Sequence, residues 1–307
     1  MSEKVKLLSI LGATATGKTK LAVAVANELN GEILSADSRQ VYRNMDIGTG
    51  KDIDDYSVGG KRIPYHLIDI ADAGYKYNVF EYQRDFYKAY KNICNKGKQP
   101  VLCGGSGMYI EAVVNAYNMP EVPVNRELRA ELEKHSDAEL VNILASLKQL
   151  HNKTDYDTRK RLIRAVEIEI YRKGNDIELT NYEKINNVYF GIFFDADTRR
   201  KRITERLDYR LKNGMIDEVK QLLQKGIAAD DLIYYGLEYK FITLYLVGKL
   251  TCDEMRRQLN IAIHQFAKRQ MTWFRGMERR GAKINWIDGC LPDDEKTELI
   301  RKLFFHD

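Results

Sequence analysis

The amino-terminal segment constrains the fold more than any other stretch of the chain. Residues 5–11 are a short apolar run closed by a glycine. The next residues read Gly12-Ala13-Thr14-Ala15-Thr16-Gly17-Lys18-Thr19, and residues 18–29 then repeat apolar side chains at helical intervals (Leu21, Val25, Leu29). Strand, glycine loop and helix in this order satisfy G-x-x-x-x-G-K-[ST] in the context where that spacing has a mechanism. Successive N–H groups of such a loop wrap a phosphate at the positive end of the helix. Lys18 adds a mobile cation, and the Thr19 hydroxyl is the expected ligand of a magnesium ion. All eight residues, Gly12 to Thr19, are therefore candidates for phosphate binding.

A strand that feeds a crossover helix needs parallel neighbours, and the chain supplies them. Residues 32–36, 64–70 and 99–103 read as strands, with a helix over 79–94. The alternation predicts an α/β fold, a P-loop NTPase-like parallel sheet flanked by helices. The pattern changes beyond residue 117. Residues 121–150 are charged, helical and strandless, entered through Pro120 and Pro123, and a further helix is expected at 158–171. A buried-strand pattern returns at 187–195. This predicts a small helical insertion domain, 118–185, inside a core made of 1–117 and 186–307. Helices are expected at 199–213, 216–225 and 254–275, a late strand at 282–287, and a closing helix after Pro292.

Composition narrows the function. At 44% hydrophobic and 30% charged, 307 residues describe a globular chain, and a net charge of +5 permits a polyanionic partner without requiring one. No apolar run approaches the roughly 20 residues a bilayer demands, and residues 1–4 lead straight into the first strand without room for a signal peptide. A cytoplasmic protein with no membrane partner is expected. Cys94, Cys103, Cys252 and Cys290 form no CxxC pair and are expected to be reduced thiols, not zinc ligands. His66 and His264 lie in apolar stretches and read as packing residues.

Phosphate binding does not name a reaction. Asp69 in His66-Leu67-Ile68-Asp69 offers one strand-end carboxylate, but Asp37, in Ser35-Ala36-Asp37-Ser38-Arg39-Gln40, follows the second strand directly. Carboxyl ends of parallel strands share one rim, which brings Asp37 beside the phosphate loop, where a carboxylate serves as a base. The plainer alternative is a loop salt bridge with Arg39.

Several segments together resemble the tRNA dimethylallyltransferase family: the phosphate loop, ADSRQVYRNMDIGTGK (36–51), PYHLIDI (64–70), LCGGSGMYI (102–110), RLIRAVEI (161–168) and AKRQMTWFR (267–275). They run in the family's order over nearly the whole chain. The resemblance implies transfer of a dimethylallyl group from dimethylallyl diphosphate to the exocyclic N6 of the adenosine that follows the anticodon, with magnesium. By the same resemblance Asp37 is the base, Thr19 sits at metal and diphosphate, and Ser38, Arg39 and Gln40 help recognise the flipped adenosine. The arginines of residues 202–210 fall at i, i+4 and i+8 on one helix face, alongside Glu205 and Asp208. Of these, Arg202 aligns with a family arginine and is the one expected to act in catalysis.

Acting on a stacked base requires extruding it, and basic residues must offset that cost. Lys268, Thr272, Arg275 and Arg279 form one helical stripe, joined by Arg269, while Ile263, Ala267, Met271 and Phe274 face a core and Trp273 packs. The stripe falls in the segment the family places on tRNA. Lys160, Arg161 and Arg164 match the family's other tRNA-contacting segment, and Ser106 stands where threonine is common. The chain departs from the family at residues 152–157 (NKTDYD for H-P-N-D) and 236–240 (GLEYK for G-Y-[KR]-[EQ]), both on the RNA side. One monomer acting on one tRNA anticodon stem-loop is expected. Two alternatives remain open from sequence: an adenylate isopentenyltransferase with a free nucleotide acceptor, and a P-loop kinase with an ATP-binding loop.

Overall fold

A computed structural model of the chain describes residues 5–150, 158–175 and 181–306. Strand β1 (Leu7–Gly12) leads through the glycine loop into α1 (Lys18–Glu28) and β2 (Gly31–Ala36). A 3-10 turn (Ile53–Tyr56) and a hairpin of β3 (Ser57–Val58) and β4 (Lys61–Arg62) precede β5 (Tyr65–His66), α2 (Val79–Asn95), β6 (Gln99–Gly104) and α3 (Gly107–Val114). Three helices then follow, α4 (Arg126–Leu132), α5 (Asp137–Leu147) and α6 (Arg159–Gly174), before β7 (Asn187–Phe193), α7 (Ala196–Lys212), α8 (Met215–Gln224), α9 (Ala229–Tyr234), α10 (Leu237–Leu246), α11 (Cys252–Arg279), β8 (Ile284–Asp288) and α12 (Asp293–His306). Two units result, one of Met1–Tyr117 with Glu183–Asp307 and one of Asn118–Tyr182.

In the larger unit the six-stranded sheet runs β5-β2-β6-β1-β7-β8, with every pairing parallel. β1 and β2 are buried along their whole length, as strands covered on both faces must be. The register sets Leu11 against Gly104 and Gly104 against Ala36, so β1, β6 and β2 end together and their following loops share one rim. Gly104 permits this approach, since a Cβ there would lie 2.2 Å from the Ala36 carbonyl oxygen. Beneath the rim, Leu8, Ile10, Ile33, Val101 and Phe190 of the sheet pack with Leu21, Val25, Ile300 and Phe304 of α1 and α12. Capping boxes at Asn78/Glu81 and Thr251/Glu254 start α2 and α11.

The expected strand at 64–70 is much shorter. Only Tyr65–His66 pairs, because Leu67 and Asp69 take φ of 66° and 55° and carry the backbone away from the sheet. The turn has a purpose. It sets the Asp69 carboxylate 2.5 Å from the Lys51 ammonium, which also donates to Asp46 Oδ1 (2.7 Å) and to the Tyr42 carbonyl (2.7 Å). The Lys51 side chain is 0% exposed, and a buried cation persists only when so paired. His66 is satisfied by Glu32 at 2.7 Å, and His264 lies 3.3 Å from the Thr204 hydroxyl. Helices α9 and α10 have no counterpart among the sequence expectations.

The helical unit is not one helical run over 121–150. It begins at Arg126 and breaks before a capping box at Ser136/Glu139 that starts α5. Leu132, Leu140, Leu144, Leu162, Ile163 and Val166 form its core. Glu167, 1% exposed, accepts from the Asn125 N–H, Arg129 and Arg164. Burial alone would raise its pKa, but these donors outweigh burial and hold it below the usual carboxylate range. Among the described residues no helix is long and apolar enough to cross a membrane.

Phe190, at the centre of β7, is 0% exposed. Phe190→Ala is expected to destabilise the protein by about 3–5 kcal/mol through the cavity it leaves. The measurement is the urea unfolding midpoint; a shift equivalent to under about 1 kcal/mol would show that the sheet's core lies elsewhere.

Candidate active site

The loop after β1 is held open by its own backbone. Gly17 caps α1 at φ 80° and Ala15 adopts φ 63°, both left-handed. Thr16, buried, turns its hydroxyl back onto the Ala13 carbonyl at 2.9 Å. Gly12 makes room for this, because a Cβ there would stand 2.5 Å from the Thr16 hydroxyl. Lys18 lies 3.5 Å from the Ala13 carbonyl. Burial lowers its pKa, Cys103 and Asp37 oppose the shift, and Arg206 and Arg210 reinforce it. The Thr19 hydroxyl bonds the Cys103 thiol, whose pKa is pushed up to about 11 chiefly by burial, so the thiol stays neutral.

Asp37 leaves β2 on the same rim, close enough for its charge to act on Lys18. Its Oδ1 accepts from the Arg39 N–H at 2.9 Å, and no other hydrogen bond to this carboxylate forms among the described residues. The Asp37–Arg39 pairing considered from sequence is thus a turn through the backbone, which leaves one carboxylate oxygen available. The Ser38 N–H donates to Ser106 Oγ (3.1 Å) and the Ser106 N–H to the Ala36 carbonyl (3.2 Å), tying the loop after β6 to the loop after β2. Gln40 accepts from the Ser35 hydroxyl and donates to the Gly50 carbonyl, both at 3.1 Å, so its amide braces the loop. The Arg39 guanidinium lies 5.3 Å from the Tyr234 ring centre. Glu218 clasps the same loop farther on, accepting from the N–H groups of Asp46, Ile47 and Gly48 (2.7–3.0 Å) and from the Tyr239 hydroxyl (2.6 Å).

All three arginines of the α7 face reach this region. Arg202 Nε donates to the Ala15 carbonyl at 2.9 Å. Arg206 and Arg210 line a small, open cleft with Thr14, Ala15, Ile203, Leu207, Met215, Glu238 and Ile263. Glu205 and Asp208 do not neutralise this face: Asp208 binds Arg256 at 2.7 Å, and Arg210 binds Asp52 at 2.8 Å. Burial and the neighbouring Arg210 push the Arg206 pKa down to about 10. Burial raises that of Glu238. Arg206 and Arg210 therefore join Arg202 at the loop. Glu238, part of the 236–240 departure, faces them.

Gln270 has no counterpart among the sequence expectations. It lies in the AKRQMTWFR segment but points inward from α11, accepting from the Thr14 N–H (2.9 Å) and donating to the Gly105 carbonyl (3.0 Å). The signal was present, since Ile263, Ala267, Gln270 and Phe274 share one helical face and a lone amide among apolar residues needs partners. On the outer face Lys268, Arg269, Thr272, Arg275 and Arg279 are exposed, and Thr272 donates to the Lys268 carbonyl. Met271 is only half-buried. Trp273 packs where a Gly107 Cβ would be and donates to Glu111 at 2.7 Å, a carboxylate also held by Arg280. In the helical unit Lys160 and Arg161 are exposed, whereas Arg164 is committed to Glu167 (2.5 Å) and the Val122 carbonyl (2.7 Å). Residues 152–157 lie outside the described residues.

The family model for IPP transferase matches residues 40–277, most of the chain and every loop on this rim except the phosphate loop and Asp37. The chain belongs to the IPP transferase family. Among its relatives, tRNA dimethylallyltransferase 2 of Bacteroides fragilis is 58% identical over 296 residues, covering 96% of this chain and 97% of that protein. tRNA dimethylallyltransferase 1 of Parabacteroides distasonis is 59% identical over 298 residues, covering 97% of each. The crystal structure of the tRNA isopentenylpyrophosphate transferase of Bacillus halodurans superposes with a TM-score of 0.72 at 33% identity, over 99% of this chain and 96% of that one. For this IPP transferase the parallel sheet and its rim are thus the family's architecture.

The charge imbalance at the loop has a thermodynamic consequence. The Lys18 pKa lies below its ordinary 10.5 in the folded protein, so between the folded value and 10.5 the unfolded chain holds more protons and stability rises with pH. Lys18→Met is expected to raise the unfolding midpoint of the ligand-free protein and to remove that slope. Thermal unfolding of both proteins across alkaline pH measures it; a lower midpoint in the variant would contradict the account.

Proposed function

We propose that the chain transfers a dimethylallyl group from dimethylallyl diphosphate to the exocyclic N6 of the adenosine 3′ to the anticodon in tRNA, releasing diphosphate. The observation that carries this reading is the half-bonded Asp37 carboxylate opening on the same rim as the phosphate loop and its cations. The names of the relatives at 58% and 59% identity support tRNA as the acceptor.

Displacement at an allylic carbon builds negative charge on the departing oxygens. Backbone N–H groups of the loop, Lys18, Arg206 and Arg210 are positioned to stabilise that charge as it develops. As the C–O bond breaks, the C–N bond forms, and the N6 proton passes to Asp37, whose orientation is set by the Arg39 N–H. Ile203, Leu207, Met215 and Ile263 give the cleft an apolar wall suited to a short branched alkyl group. The Thr19 hydroxyl is the one side chain of the loop suited to a magnesium ion. Magnesium bound there would supply further neutralisation of the leaving group.

A base must leave its stack to reach Asp37, which costs a few kcal/mol. The exposed cations of α11 offer phosphate contacts that offset this, with Lys160 and Arg161 of the helical unit as further contacts. The reading has one chain acting on one tRNA in the cytoplasm.

Incubation with radiolabelled dimethylallyl diphosphate, magnesium and either tRNA or AMP is expected to label tRNA alone. Asp37→Asn keeps the acceptor for the Arg39 N–H but removes the base, and is expected to lower turnover at least about a hundredfold with tRNA affinity retained. Label in AMP, or full activity of the variant, would sink the reading.

Lys268→Ala is expected to weaken tRNA binding and to reduce the slope of log K against log salt by about one unit. Filter binding at several salt concentrations checks this, and an unchanged slope would remove the helix from the RNA surface.

A further inference from the structure

We infer that Gln270 is a positioning residue that holds the phosphate loop in its anion-binding shape and fastens it to the cationic helix α11. The inference rests on the diphosphate reading given above. Ala15 is not glycine, yet it sits at φ 63°, a conformation that costs an L-residue about 1–2 kcal/mol. The loop therefore needs external support, and two long-range hydrogen bonds bracket the strained residue. One runs from the Thr14 N–H to Gln270 Oε1 (2.9 Å), the other from Arg202 Nε to the Ala15 carbonyl (2.9 Å).

The Gln270 amide is only 8% exposed, in a helix face otherwise formed by Ile263, Ala267 and Phe274. Burying an amide in such surroundings is unfavourable unless both ends are bonded. Both ends are, and to the backbones of two different rim loops, those after β1 and β6. Gly105 is cut to fit it, since a Cβ there would stand 2.4 Å from Nε2. The chemistry selects glutamine. Its Oε1 must accept and its Nε2 donate, a carboxylate would set oxygen against the Gly105 carbonyl, and asparagine is one methylene too short. The residues flanking Gln270 on α11, Lys268, Arg269 and Thr272, point outward, so the helix proposed to meet RNA also carries the brace of the phosphate loop.

The test uses the full chain with two variants that disturb the amide from opposite sides. Gln270→Met keeps length and volume but not the hydrogen bonds. Gly105→Ala keeps glutamine but pushes Nε2 away, the 2.4 Å approach to Nε2 being far tighter than the 3.0 Å approach of the same Cβ to the Gly12 carbonyl. The readouts are the Kd for inorganic diphosphate by titration calorimetry, kcat, the separate KM values for dimethylallyl diphosphate and tRNA, and the unfolding midpoint. Both variants are expected to raise the diphosphate Kd and the KM for the alkyl donor about tenfold and to lower kcat, with the KM for tRNA within about twofold of wild type. Gln270→Glu, which still accepts but puts negative charge at the loop, is expected to be worse than Gln270→Met.

Unchanged diphosphate affinity in both Gln270→Met and Gly105→Ala would overturn the inference. So would a rise in both KM values in step with a lost unfolding midpoint, which is the signature of a merely structural amide. A wild-type chain that binds no diphosphate would bring down the underlying reading itself.

Discussion

The rim of the sheet concentrates positive charge where water is scarce. Lys18, Arg206 and Arg210 converge on one loop, and burial and mutual repulsion lower the pKa values of Lys18 and Arg206. A folded chain tolerates such a cluster only if nearby acids temper it and the surrounding structure is rigid enough not to relax. Asp52 holds Arg210, while Asp37 and Glu238 act on the cluster at somewhat longer range. The acids balance the cluster without pairing every cation directly, since among the described residues Arg210 alone of the three has a carboxylate in salt-bridge contact.

Rigidity comes from polar side chains that are buried, as Lys51 and Gln270 are, or half-buried, as Gln40 and Glu218 are. Gln270 spans the loops after β1 and β6, Gln40 spans β2 and Gly50, Glu218 gathers three successive amides, and Lys51 joins Asp46, Asp69 and the Tyr42 carbonyl. Each is bonded at both ends of its polar group or by several partners, so each resists displacement by about the desolvation energy of an unsatisfied group, about 1–3 kcal/mol. Glycine completes the arrangement at the closest approach. At Gly50, with φ 71°, a Cβ would meet the Arg206 guanidinium at 2.2 Å, so the bare backbone of the loop that presents Asp37 lies directly against the arginine side chains of α7.

Helix α11 serves two surfaces with one periodicity. Its inner face packs Ile263, Ala267 and Phe274 and braces the phosphate loop, while its outer face carries a row of cations. This division lets one helix brace the glycine loop on one side and present cations to solvent on the other. Arg164 shows the opposite outcome. It belongs to a basic group by sequence, yet it is bonded to Glu167 and Val122 within the helical unit, so its charge serves that unit's own fold.

Sequence alone determined the strand–glycine loop–helix, the parallel sheet, the helical insertion and the placement of Asp37 on the rim near Lys18. These follow from local periodicity and from the rule that parallel strands end on a common rim. Tertiary structure decided which polar side chains face the rim. Residues 64–70 look like a strand until Asp69 has to meet Lys51, and Gln270 looks like part of a basic stripe until α11 packs against the loop. Arg206 and Arg210 look solvated until Asp208 is drawn to Arg256. In each case the deciding partner lies far away in the chain, and a hydrogen bond or ion pair between distant residues leaves no periodic trace in either segment.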